Sequence, residues 1–225
     1  MLKTHHVEDS TIIEIGVDEA GRGPLFGPVY TGAVVLPRES ETFDYSLLKD
    51  SKKFTSFKKL TMVTEYIKEH ADFWSVNCVD EKEIDSINIR QATLKSMHAS
   101  IDSIIKQMPP QKNSDDVLLI IDGNDFKPYY RVTHDSADLF SHICVKGGDN
   151  VYGSVAAASI LAKHARDTFI GDLCEKHPLL KKYYSIDKNK GYGAKVHLEG
   201  IRTYGVSQWH RLTFGICRTA RRIIL

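Results

Sequence analysis

Residues 12–24, Ile-Ile-Glu-Ile-Gly-Val-Asp-Glu-Ala-Gly-Arg-Gly-Pro, constrain this chain more than any other segment. A short apolar run bounded by turn residues predicts a buried strand. It ends in two adjacent carboxylates, Asp18 and Glu19, and the turn Gly21-Arg22-Gly23 follows close behind. Successive side chains of a strand point to opposite faces, so these carboxylates can share a site only where the strand stops and the chain turns. The glycines permit that turn and let backbone N–H groups approach a ligand closely. Carboxylates beside a glycine turn that carries one arginine suit a divalent metal next to a phosphodiester. Asp-Glu alone reads as an ordinary strand end; with Gly-Arg-Gly-Pro attached it reads as a site.

Two more carboxylates can join it. Val117 to Ile121 is a second buried-strand pattern, and it ends in Asp122-Gly123-Asn124. Asp149 follows Lys146-Gly147-Gly148 and precedes the alanine-rich helical run Ser154 to Lys163. Each aspartate alone is a common turn former. Together Asp18, Glu19, Asp122 and Asp149 are hard oxygen donors with no His or Cys beside them, which favours Mg²⁺ or Mn²⁺ over Zn²⁺.

Further strands are predicted at Tyr30 to Leu36, Phe73 to Val79 and Phe140 to Val145. Helices are predicted after Ser56 as N-cap, over Ile89 to Ile105 ahead of Pro109-Pro110, and over Val155 to Leu173. Strands alternating with helices indicate an α/β sheet, whose ligand sites gather at strand carboxyl ends, where Asp18 and Asp122 fall. A chain of 225 residues with 42% hydrophobic content and no linker or repeat predicts one domain over 1–225. Four scattered cysteines without Cys-x-x-Cys spacing fit reduced thiols in a cytoplasmic protein. No apolar run reaches membrane-spanning length. His5 and His6 read as part of a flexible polar terminus rather than as a metal pair.

The formal charge of +1 hides an asymmetry, because residues 181–225 hold ten Lys or Arg against two acidic residues. A basic C-terminal part beside an acidic metal site is what a metal-dependent nuclease needs, although charge runs are often plain solvated surface.

In the order of its motifs the chain resembles the type 2 ribonucleases H, in particular ribonuclease HII. The matching stretches are Gly16 to Pro24, Leu48-Lys49-Asp50-Ser51-Lys52-Lys53, Ile84 to Thr93, and Ile121 to Asn124. The run from Asp149 through Ala157 to Asp167 follows, then Lys190-Gly191-Tyr192-Gly193 with His197, and finally His210-Arg211-Leu212-Thr213-Phe214. The sequence departs from the family in an extra glycine at Gly147-Gly148 and a longer segment between Asp122 and Asp149. Phe26 stands where many members have a small residue, and Ala194 where Thr is common, a change expected to remove a polar contact near the substrate.

The resemblance implies a ribonuclease H-like mixed five-stranded sheet flanked by helices, with a C-terminal helical extension. It implies a monomeric endoribonuclease that cleaves the RNA strand of RNA/DNA hybrids and cuts 5′ of single ribonucleotides in duplex DNA, leaving 5′-phosphate and 3′-hydroxyl. Such an enzyme serves ribonucleotide removal from DNA and primer removal. Asp18, Glu19, Asp122 and Asp149 would hold two Mg²⁺ or Mn²⁺ ions, about 3.5–4 Å apart in sites of this kind. Gly21, Arg22 and Gly23 would sense the 2′-hydroxyl, which alone distinguishes RNA from DNA on the sugar. Tyr192 would pack on the next sugar, and Asp50, Ser51 and Lys52 would grip the phosphate backbone. Lys163, Arg166 and Asp167 read as structural support; His197 and His210-Arg211 stay open between backbone contact and tertiary hydrogen bonding.

Three other readings compete. The sister type, ribonuclease HIII, carries an N-terminal substrate-binding domain for which Asp18 comes too early. A DNA-only nuclease or resolvase of the same fold explains the carboxylates but not Gly-Arg-Gly with Tyr192. A non-catalytic binding protein would be expected to lose a carboxylate.

Overall fold

The computed structural model describes residues 2–38, 43–48, 56–109, 112–132 and 137–225. Asp50, Ser51 and Lys52 lie outside the described residues. The strands are β1 (Ile13–Ala20), β2 (Val29–Val35), β3 (Phe73–Val79), β4 (Val117–Asp122), β5 (Tyr130–Val132), β6 (Ala137–Leu139) and β7 (Ser141–Val145). The helices are α1 (Phe57–His70), α2 (Glu81–Ile87), α3 (Ile89–Ile105), α4 (Gly153–Lys176), α5 (Pro178–Tyr184), α6 (Ile186–Asn189) and α7 (Lys195–Tyr204).

Five strands make one mixed sheet in the order β3-β2-β1-β4-β7. β1 pairs antiparallel with β2 and parallel with β4, and β4 pairs parallel with β7. The parallel register sets Val17 opposite Ile121, so Asp18 and Asp122 leave the same edge of the sheet on neighbouring strands. β1 is central, and its two faces differ. Ile15 and Val17 point into a core with Met97, Ile101 and Ile104 of α3. Gly16 points the other way, against α4, where an added Cβ would lie 2.2 Å from the Ser154 carbonyl carbon. Gly32 on β2 has the same relation to α4, with 2.3 Å to the Ala158 oxygen. Two glycines in the strands and Ala156, Ala157 and Ala158 in the helix therefore bring α4 to backbone contact with the sheet. That contact lets Ser159 reach Asp18.

α5 to α7 and the segment after them pack a second core around Phe26, Ile170, Tyr184, Ile201 and Val206. Phe26 is fully buried there and meets the His210 ring edge-on at 5.0 Å. The larger residue at this position thus serves the extension's core.

The expected helices and sheet strands appear within three residues of their expected ends, and Phe73–Val79 and Ile89–Ile105 appear without any shift. Missing from the sequence reading were α2 and the separate β5–β6 hairpin, which takes up the longer stretch before Asp149. Both are short, and hairpin strands of three residues carry too little alternation to read. The N-terminal residues are anchored rather than flexible. Backbone N–H groups of His6 and Val7 donate to the Glu14 carboxylate at 2.8–2.9 Å, and His6 Nδ1 lies 2.7 Å from the Tyr152 hydroxyl. Ala194 forms the N-cap of α7 and offers no capping side chain, so the contact missing there is a helix cap.

Candidate active site

A cleft of about 470 Å³ opens where β1 and β4 end. Asp18, Glu19 and Asp122 line it together with the Gly21 to Gly23 turn, Tyr192 and the cationic side chains Lys163, Arg166, Lys188 and Lys190. Glu19 and Asp122 also border a smaller hollow of about 290 Å³ that runs on to Arg90 and Asp125. Opposite faces of β1 thus deliver Asp18 and Glu19 to one opening because the strand stops at Ala20.

Local chemistry orients each carboxylate. Asp18 is 4% exposed; its Oδ1 accepts the Glu19 N–H at 2.6 Å, and the Ser159 side chain hydrogen-bonds to it. Burial, and then the charges of Glu19 and Asp122, hold its pKa well above the usual carboxylate range. Burial also raises Glu19, against the pull of the Arg22 guanidinium 3.3 Å away. Asp122 Oδ1 accepts the Gly148 N–H at 2.6 Å. The extra glycine has a clear use here: Gly147 sits at φ +68°, which L side chains seldom adopt, and so aims the next N–H at Asp122.

Asp149 is placed differently. It is buried in the turn Gly148–Asn150 with Oδ1 accepting from Asn150 Nδ2 at 2.7 Å, and it is not among the residues lining the cleft. The fourth carboxylate on the cleft wall is Asp167, which pairs with Lys163 at 2.7 Å. Among the described residues no three His, Cys, Asp or Glu side chains are drawn together as a metal-ligating group. The donors facing the cleft are nevertheless hard oxygens whose mutual repulsion raises Asp18, and a divalent cation relieves that repulsion. Their chemistry fits such an ion.

The glycine turn is built from far along the chain. Arg211, fully buried, donates through Nε to the Gly27 carbonyl at 2.8 Å, through Nη1 to those of Arg22 and Pro24 at 2.9 Å, and through Nη2 to that of Gly21 at 2.6 Å. Burial and the nearby Arg166 lower its pKa to about 9, so it stays cationic at neutral pH. Arg166 Nη2 donates to the Lys190 carbonyl at 2.8 Å, and its guanidinium carbon lies 5.9 Å from the Tyr192 ring centre. An added Cβ on Gly21, already at φ +94°, would fall 2.3 Å from Arg166 Nε. Tyr192 is 51% exposed, and its Cε1 stands 3.5 Å from where a Gly23 Cβ would be. Turn and ring are direct neighbours. Arg166 holds the supporting place its helix motif predicts; for Arg211 the sequence left the choice open between backbone contact and tertiary hydrogen bonding, and the structure shows tertiary bonds to the glycine turn.

Comparison with known proteins places the chain in a family. The family model for ribonuclease HII matches residues 15–217. The ribonuclease HII of Phocaeicola vulgatus is 39% identical over 208 residues, 92% of each chain. The ribonuclease H2 from Pyrococcus horikoshii shares the fold with a TM-score of 0.69 and 24% identity, over 92% of this chain and 96% of that one. Bst-RNase HIII in complex with Mn²⁺ does so with a TM-score of 0.60 and 20% identity, over 88% and 64%. Fold and relatives define a hydrolase of the ribonuclease H type. The chain belongs to the ribonuclease HII family.

Proposed function

We propose that this protein is a metal-dependent endonuclease that cuts the RNA strand of RNA/DNA hybrids and the 5′ side of a single ribonucleotide in duplex DNA. The observation that carries the reading is the cleft itself. Carboxylates, a glycine turn, an exposed tyrosine and cationic side chains all line this one cleft. Asp18, Glu19 and Asp122 would hold Mg²⁺ or Mn²⁺, with Asp149 of the neighbouring turn as the fourth carboxylate. Bound there, divalent cations supply the charge and Lewis acidity that phosphodiester hydrolysis needs.

The chain's own groups do the rest. The Glu19 N–H and Ser159 keep the Asp18 carboxylate turned to the cleft, and the Gly148 N–H does the same for Asp122. Lys188 and Lys190 attract the phosphate backbone. Backbone groups of Gly21 to Gly23 approach the 2′-hydroxyl, since no side chain stands in the way at the glycines. Tyr192 packs on the sugar that follows, where deoxyribose leaves room. Products with 5′-phosphate and 3′-hydroxyl suit removal of ribonucleotides and RNA primers from DNA.

The test compares three duplexes with Mg²⁺ and Mn²⁺ in parallel: all DNA, DNA with one ribonucleotide, and an RNA/DNA hybrid. Cleavage 5′ of the ribonucleotide and none of the all-DNA duplex is expected. Equal cutting of all-DNA duplex would favour a DNA-only nuclease of the same fold. Tyr192→Ala should lose about tenfold to a hundredfold in rate, as loss of a base- or sugar-stacking aromatic does, mainly on the single-ribonucleotide duplex. Tyr192→Phe should lose little.

A further inference from the structure

His197 and His210 are buried, and neither takes part in the chemistry above. Their hydrogen bonds allow only one arrangement of protons. The Ser207 backbone N–H, which can only donate, points at His210 Nδ1 at 3.0 Å, so that nitrogen is an acceptor. A neutral His210 then carries its proton on Nε2. That nitrogen lies 3.0 Å from His197 Nε2, which must accept. His197 therefore carries its proton on Nδ1, 2.8 Å from the carbonyl oxygen of Tyr192, and donates to it. The relay runs one way, from Ser207 through two neutral rings to the backbone of Tyr192. A second proton on either ring would set two N–H groups head to head.

The residue after His210 is Arg211, which grips four carbonyls of the segment Gly21 to Gly27. Two consecutive residues thus hold the two walls of one gap, the glycine turn on one side and the Tyr192 backbone on the other. The Leu25 N–H closes the loop by donating to the Gly191 carbonyl at 2.9 Å. The Phe26 and Tyr184 rings meet His210 edge-on at 5.0 and 4.9 Å and leave the imidazole little freedom to turn.

We infer that His210 and Arg211, with His197 as the link, are positioning residues that set the spacing between the Gly21–Gly23 turn and Tyr192, and with it the preference for a ribonucleotide followed by DNA. The inference rests on the proposed role of Tyr192. It goes further in assigning the specificity of that ring to a hydrogen-bond chain anchored in the C-terminal extension. Neither imidazole touches substrate. A shift of the Tyr192 backbone alters where its ring meets the second sugar, while the carboxylates, held by β1, β4 and α4, stay in place.

The test is the ratio of kcat/KM on the single-ribonucleotide duplex to that on the RNA/DNA hybrid, measured for wild type, Tyr192→Ala, His197→Leu and His197→Asn. His197→Leu should lower the ratio on the order of tenfold, as misplacement of a positioning group by a fraction of an ångström to one ångström does. His197→Asn should restore most of it, because the amide nitrogen stands at the same bond distance from Cβ as Nδ1 and can donate to Tyr192. Combining His197→Leu with Tyr192→Ala should add little to Tyr192→Ala alone. If His197→Leu does not fold, His197→Gln, which keeps a polar side chain but shifts the donor, takes its place with the same expectation. A selective loss in Tyr192→Ala with an unchanged ratio in the His197 variants overturns the inference and leaves the proposed function intact. An equal loss on both substrates in Tyr192→Ala overturns the reading of Tyr192 and the inference with it. Nitrogen NMR of the wild-type imidazoles gives a readout free of activity: Nδ1–H on His197 and Nε2–H on His210 are expected, and the reverse tautomers would end the proposal.

Discussion

Asp18 sits where burial and neighbouring charge both oppose its ionisation. Its carboxyl is almost wholly removed from water and has Glu19 and Asp122 as neighbours, so ionisation costs more here than in the unfolded chain. The sign follows from linkage: a folded pKa raised above 3.8 gives stability that is present below that value and lost as pH rises through the raised one. At neutral pH without metal, the crowded carboxylates therefore weaken the fold. Asp18→Asn should abolish cleavage and leave thermal stability in chelator unchanged or higher. Each kcal/mol relieved corresponds to roughly 2–4 °C in a chain of this size. Asp122→Asn should also lose cleavage. Near-normal activity in either variant would remove the assignment of the metal-holding set. Asp149→Asn is the sharper case, since its side chain is turned toward Asn150. Full activity there would pass the fourth role to Asp167 on the cleft wall.

At the scale of elements, two features of the C-terminal extension are open to measurement. Lys181, one of its basic residues, pairs with Glu175 on α4, whereas Lys188 and Lys190 border the cleft. Replacing Lys188 and Lys190 together by Ala should lower the slope of log affinity against log salt by about two units without moving the cut. An unchanged slope would make these lysines mere solvated surface. The second feature is the start of α7. Ala194 has N-cap backbone angles, φ −63° and ψ 153°, and no side chain to take an orphan N–H. Ala194→Thr should stabilise the protein by about 0.5–1 kcal/mol, read as a rise in unfolding temperature of a few degrees. A fall would mean that a hydroxyl cannot reach the first turn of α7.

For the whole molecule, the histidine relay makes acid a specific threat. Burial, followed by the like charge of a protonated His197, lowers His210 from 6.5 to about 3, and burial lowers His197 as well. A folded pKa below the unfolded one gives stability that is full above pH 6.5 and lost as pH falls toward 3. The unfolding free energy should drop across that window by an amount on the order of a few kcal/mol, since each pKa unit is worth about 1.4 kcal/mol. Denaturant titrations from pH 7.5 to 4 would record it, and His210→Asn should flatten the dependence. Asp18 and Glu19 act with the opposite sign in acid, so the comparison of wild type with variant isolates the histidine contribution. An equally steep fall in the variant would place the acid sensitivity elsewhere.

Much of this site lies in short, contiguous stretches, and those stretches were legible in the sequence. Ile15 and Val17 predicted a buried strand, the Asp18-Glu19 pair marked its end, and Gly21-Arg22-Gly23 announced a turn. Val117 to Asp122 did the same for the neighbouring strand, because strand pattern and turn chemistry are local properties. Local patterns do not hold the pairing of β1 with β4, which brings Asp18 beside Asp122 from a hundred residues away. Nor do they hold the closeness of α4 to Gly16 and Gly32, which carries Ser159 to Asp18. The Arg211 bond to Gly21 spans 190 positions and His210 reaches Tyr192 only through His197, so both residues read as ambiguous basic side chains until the chain is folded. Asp149 shows the converse: its spacing to the alanine-rich helix marks it as a site residue, while the turn around Gly148 decides which way it faces. By itself the sequence determined which residue types and turns the site is made of. Only the tertiary structure decided which of them meet, because directional hydrogen bonds across long loops depend on packing that no local periodicity records.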